Sequence, residues 1–162
     1  MERCATMRSH ASLKFLSVPT EKDWRNYKSD LDQNHAHSVF AGRTNLEAQE
    51  LIRSSPIERS EDLRWMPVVP FRYYVMGFRD LLAANDFEEL DAPDAASCFL
   101  RLVIQKLEKQ PQYILPIMPE LLPAIEHVAR NQSLFRANES IYGNFLELLT
   151  RIQALYETHR SS

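Results

Sequence analysis

The clearest alternation of apolar and polar positions lies between Asp94 and Gln110, DAASCFLRLVIQKLEKQ. Ala95, Phe99, Leu102 and Leu107 fall on one stripe of a helix, and Leu100, Val103 and Ile104 fill adjoining directions. Arg101, Gln105, Lys106 and Glu108 are left as a narrow solvated strip. A helix that is apolar over so wide an arc needs neighbours on two sides. The pattern therefore predicts a central helix, with Asp94 as its cap and Pro111 as its end.

The same periodicity supplies the neighbours. From Pro70, the run FRYYVMGFRDLLAAND places Phe71, Tyr74, Val75, Phe78, Leu81 and Leu82 on one face, with Arg72, Tyr73, Arg79 and Asp80 largely opposite. After Asn138, a possible cap, Ile141, Phe145, Leu148, Leu149, Ile152, Leu155 and Tyr156 predict one last helix. These two helices are expected on either side of the central one. Thr44 with Glu47 forms a capping box for a short helix ending near Ser54, and Ser55-Pro56 with Glu58 starts another that runs to about Arg64.

Proline punctuates what remains. Trp65-Met66-Pro67-Val68-Val69-Pro70 reads as an apolar elbow, because each proline lacks an amide donor and biases its predecessor away from helix. Between Pro111 and Asn131, four prolines predict a short turn and then a helix from Pro119 or Pro123 that buries Leu122, Ile125, Val128 and Ala129. Thr20 with Asp23 resembles a capping box, with Trp24, Tyr27 and Leu31 following at helical spacing. Residues 30–42 read as a fraying helix end or loop, and residues 1–19 as an extended arm or short strand.

These elements define an all-α chain: a single-domain bundle of five to seven helices with proline-punctuated, HEAT-like helix pairs. Residues 1–43 are expected to be an N-terminal arm with a short helix, packed on or flanking a helical domain of residues 44–160. With 162 residues, 44% of them hydrophobic, the chain can bury a continuous core.

Charge and composition then narrow the function classes. Nineteen basic and 22 acidic residues give a formal charge of −3, which argues against nucleic acid as a partner. No run of about 18 apolar residues is present, so no membrane span is expected. The N-terminus lacks the uninterrupted apolar stretch of a secretory signal, and Met7 is an alternative start to Met1. Cys4 and Cys98 form neither a metal-ligand spacing nor a disulfide framework, which fits a cytoplasmic protein.

Phe71-Arg72-Tyr73-Tyr74, Asp94-Ala95-Ala96-Ser97 and Ile141-Tyr142-Gly143-Asn144 together resemble a pattern in small bacterial all-helical proteins, over roughly residues 65–158. The resemblance implies a bacterial cytosolic helical domain; it brings no activity, catalytic residue or cofactor. Helix pairs separated by proline also resemble HEAT and armadillo repeats in packing style, although no fixed period aligns.

Only three glycines are present, which excludes glycine-rich phosphate loops, and no G-x-S-x-G, HExxH or ExxH occurs. His35-x-His37 would share a face on a strand but diverge by about 200° on a helix. No third ligand stands at a suitable spacing, so no metal, cofactor or catalytic residue is assigned. His127 reads as a helix-face residue and Cys98 as buried filler. Asp86, Glu88, Glu89 and Asp91 form an acidic turn without a basic residue, suited to a basic partner surface, to a divalent cation, although it lacks EF-hand spacing, or to the solvated start of a helix. Upstream, arginines interleave with Trp65 and Tyr73, the residue types of interface hot spots, although Trp65 also suits a core position.

The leading expectation is a non-enzymatic cytosolic helical protein that binds another protein, as an adaptor or an antitoxin- or immunity-like protein. Its candidate partner-binding residues are Asp86, Glu88, Glu89, Asp91, Trp65, Arg72 and Tyr73. The alternatives are an enzyme whose non-local site combines carboxylates with His35, His37 or His127, and a structural homodimer.

Overall fold

The computed structural model describes residues 17–162; the expected arm or strand at the N-terminus lies mainly outside them. The described residues are all-α, with no strand. Two 3-10 turns, Glu21–Trp24 and Tyr27–Ser29, precede α1 (Leu31–Phe40), α2 (Asn45–Ser54), α3 (Pro56–Trp65), α4 (Val68–Ala83) and α5 (Ala92–Lys109). Next come α6 (Pro111–Ile114), a 3-10 turn (Leu115–Ile117), α7 (Met118–Arg130), α8 (Glu139–Tyr142) and α9 (Phe145–Ser161).

Helix α5 is central, as its pattern requires: Leu100 and Val103 are fully buried and Ile104 nearly so. It packs most extensively against α9 and α3. Helix α4 touches it through Phe78 against Phe99, rings edge to face with centroids 5.3 Å apart, but packs more broadly on α2 and α7. The expected flank of α4 is thus largely taken by α3. The pattern of that helix, PIERSEDLRW, marks its start but hides its packing role, because the polar Ser60 and Asp62 are buried along with Leu63.

Several boundaries differ from the sequence pattern for identifiable reasons. Helix α4 begins at Val68, so the elbow is shorter than expected: Pro67 takes the cap position and Pro70 sits in the first turn, where a missing amide is tolerated. Tyr73 is buried rather than on the solvent side. Helix α5 starts at Ala92 with Asp91 at its cap position, and Asp94 lies in the first turn, accepting a 2.8 Å bond from Tyr142 Oη. Residues 30–42 contain α1, capped by Asp30, whose side chain accepts from Gln33 N at 3.0 Å. The helix expected after Thr20 is only a 3-10 turn, which buries Trp24; Leu31, expected on its stripe, is 88% exposed.

The last helix is broken. Gly143, at φ 79°, separates α8 from α9 and leaves Ile141 73% exposed, off the buried stripe of Phe145, Leu149 and Ile152. Asn144, not Asn138, caps α9 by accepting from the amides of Leu146 and Glu147. Helix α7 follows the Pro119 option, with Pro123 inside it; Ile125, Val128 and Ala129 are buried and Leu122 partly so.

Trp24, Tyr27, Ala36 and Phe40 belong to the same buried cluster as α4 and α5. Tyr74 joins the segments: its Oη lies 2.7 Å from the carbonyls of both Phe40 and Arg43, one proton serving two acceptors at the end of α1. Asn45 adds a second tie, its amide donating to Tyr73 Oη at 3.0 Å and its Nδ2 to the Tyr73 carbonyl at 2.9 Å. Gly77 makes room for it, since a Cβ there would stand 2.5 Å from Asn45 Oδ1. Removing the Tyr74 hydroxyl takes a donor from both carbonyls, of which that of Phe40 keeps the Arg43 amide, so Tyr74→Phe is expected to lower stability by about 1 kcal/mol in urea unfolding.

Candidate functional site

The structure separates the candidate partner residues. Asp86 pairs with Arg53 at 2.9 Å, and Glu89 with Arg136 at 2.9 Å, so half of the acidic turn is matched within the chain. Glu88 is exposed and Asp91 is partly buried at the start of α5. Leu90 stands among them, 89% exposed. Arg72 reaches α6, donating through Nε to the Tyr113 carbonyl and through Nη2 to that of Gln112, both at 2.8 Å. With Tyr73 buried against Asn45, these two residues hold helices together and do not form one surface with the acidic turn.

Trp65 behaves differently. It sits at the end of α3, 37% exposed, while Met66 takes the buried position beside it. Its Nε1 donates to Glu61 Oε1 at 3.1 Å, and the Arg64 guanidinium lies over its ring, 4.9 Å from the centroid. Glu61 and Arg64 also line a groove of about 180 Å³ between α3 and α5, together with Ile57, Ser60, Cys98, Arg101, Leu102 and Gln105. Spacing along α3 explains the arrangement: Ser60, Glu61 and Arg64 follow Ile57 by three, four and seven residues, which places all four along one side of the helix. From α5, Cys98, Arg101, Leu102 and Gln105 do the same.

The groove is floored by Leu102 and Ser60, and charged side chains stand at its edge. Leu102 is buried, Ile57 is half-exposed, and Arg101 is held at the rim by bonds from Nε to Ser97 Oγ (3.2 Å) and from Nη2 to the Tyr142 carbonyl (2.8 Å). Burial pushes the Cys98 thiol up to about 11, with Asp94 adding to the effect. Cys98 therefore stays protonated near neutrality and is a poor nucleophile.

Lys106 ties α5 to the end of α3. Expected on the solvated strip of α5, it is fully buried. Its Nζ donates to the Arg64 carbonyl at 2.7 Å and to Gln110 Oε1 at 2.5 Å, and lies 4.8 and 4.9 Å from the ring centroids of Phe71 and Tyr113. Carbonyls and aromatic faces replace part of the lost hydration, which is how a lysine is tolerated in a core without a carboxylate.

The three candidate histidines fall in separate places. His35 Nε2 is 3.5 Å from Asp62, a buried carboxylate also paired with Arg59 at 2.9 Å; burial raises the Asp62 pKa, while Arg59 and His35 oppose the rise. His37 stacks on Tyr27, centroids 3.6 Å apart, and pairs with Glu21 at 2.9 Å. Tyr27 Oη also donates to Glu21, and these bonds, Tyr27's first, lower the Glu21 pKa. His127 faces Asn85 at 2.8 Å. Among the described residues, no group of three or more His, Cys, Asp or Glu is placed to hold a metal, and no helix is long and apolar enough to cross a membrane. No protein family, curated protein or solved structure matches the chain.

Burial, with the Arg64 charge adding to it, lowers the Lys106 pKa from its ordinary 10.5 to about 8. Between those values the unfolded chain binds more protons than the folded one, so this contribution to stability grows as pH rises from about 8 and is complete above 10.5. Relative to Lys106→Met, the wild type should gain up to roughly 3 kcal/mol across that window, read from urea unfolding at its two ends.

Proposed function

We propose that the chain is a non-catalytic, cytosolic binding protein, of adaptor or immunity-like type, and that it engages another protein through the groove between α3 and α5. One observation carries the reading. Trp65 is held outside the core by Glu61 and Arg64, beside a groove that these two residues line together with Leu102 and Arg101. Exposing a tryptophan forgoes burial of a large apolar side chain, and tryptophan and arginine are the residue types that dominate interface energetics. The acidic turn supports a partner site less well, because Asp86 and Glu89 are already paired within the chain.

The enzymatic alternative has one feature in its favour, the pairing of exposed His35 with buried Asp62. None of the four grooves described on the surface is lined by either residue. A catalytic base needs a place for the reacting atom within hydrogen-bond reach.

A photo-reactive amino acid at position 57, compared with one at position 90, separates the groove from the acidic turn in the native host. The expected outcome is a discrete cross-linked partner from position 57, reduced at least about tenfold by Trp65→Ala or Arg101→Glu, as loss of a hot-spot side chain implies. An adduct formed only from position 90 would transfer the site to the turn, and no adduct from either would defeat the binding-protein reading.

A further inference from the structure

Helix α3 ends at Trp65, two residues before a proline that has no amide to offer. The Arg64 carbonyl lies in that last turn, where no donor is available within the helix. Lys106 supplies one from across the core, at 2.7 Å. It therefore caps α3 from another helix and places a cation at the negative end of the helix dipole.

We propose that Lys106 is a positioning residue for the tryptophan beside the groove: by gripping the Arg64 carbonyl, its ammonium fixes the last turn of α3 and the direction in which Trp65 is presented, and the grip loosens on loss of the proton. Three features of the geometry depend on charge together. Ionic hydrogen bonds are about twice as strong as neutral ones. The attraction to the Phe71 and Tyr113 rings requires a cation, as does the attraction to the end of α3. An amine has only two protons for the two oxygen acceptors and the rings, where an ammonium has three.

The charged or titratable groups around this position are Arg64 on α3, Arg72 on α4 and Tyr113 on α6. Among the described residues no carboxylate lies within ion-pair distance of Lys106. No countercharge therefore locks the proton in place, and the Lys106 value of about 8 puts its release within reach of mild alkalinity. The consequence for partner presentation rests on the groove reading above; the control of Trp65 does not.

Fluorine NMR of 5-fluorotryptophan-labelled protein tests it. The chain has two tryptophans, Trp24 in the core and Trp65 at the surface, and Trp65→Phe assigns the signals. The expected result is a one-proton titration of the Trp65 signal with its midpoint near 8, while the Trp24 signal stays fixed. Lys106→Met should abolish the titration, and Lys106→Arg, which keeps its charge, should hold the Trp65 signal at its low-pH position. An unmoved Trp24 signal certifies the fold of each variant. If Lys106→Met does not fold, the wild-type profile and the Arg variant decide. A wild-type Trp65 signal that does not titrate near pH 8, or one that titrates equally in Lys106→Met or Lys106→Arg, overturns the proposal. Normal titration without a cross-link at position 57 would defeat the groove reading alone.

Discussion

The structure depends on how its helices end. A helix leaves its last four carbonyls without intrahelical donors, and the common remedy is a glycine that turns the chain back to satisfy them. This chain has three glycines and nine prolines. Gly42 and Gly143 follow helices at positive φ, but other helix ends are served from a distance. Tyr74 reaches the carbonyls after α1, Lys106 the end of α3, Arg72 the end of α6, Arg101 the end of α8, and His159 the Leu107 carbonyl near the end of α5. Each is a long polar side chain on another helix. Stopping a helix and docking its neighbour are thus the same interaction, which couples local structure to packing throughout the fold.

That coupling explains what could be read in advance. The all-α class, the central position of α5 and the starts of α2 and α3 follow from periodicity, capping boxes and proline, all signals carried within one turn or two. Helix α1 was also legible: Asp30 and Gln33 stand at capping spacing, a signal outweighed by the polar character of residues 30–42. The break at Gly143 was not. The apolar period runs straight through it, and only the glycine between Tyr142 and Asn144, with a second cap available at Asn144, marks the interruption.

The candidate site was less legible than the fold, because its decisive residues carry polarity where a pattern expects the opposite. Lys106 belongs by spacing to the solvated side of α5, yet it is buried because an orphan carbonyl and two aromatic rings wait there. Trp65 belongs by composition to a core, yet it lies out because Met66 fills the interior place. Ser60 and Asp62 hide the buried side of α3 in the same way. Arg72 and Tyr73 looked like surface features, but their partners are 28 to 41 residues away in sequence, beyond any local window.

Gln132 shows how narrow the chemistry of such a position can be. Its Nε2 donates to the carbonyls of Ala137 and Gly143 at 2.9 and 2.7 Å, and its Oε1 accepts the Phe145 amide at 2.9 Å, so a single primary amide spans the break between α8 and α9. Both ends of that amide are committed, one as donor and one as acceptor. Deamidation would exchange one nitrogen for oxygen with almost no change of shape, and would set a carboxylate against two carbonyls. Chemical ageing at this junction could therefore do damage that no steric criterion would detect.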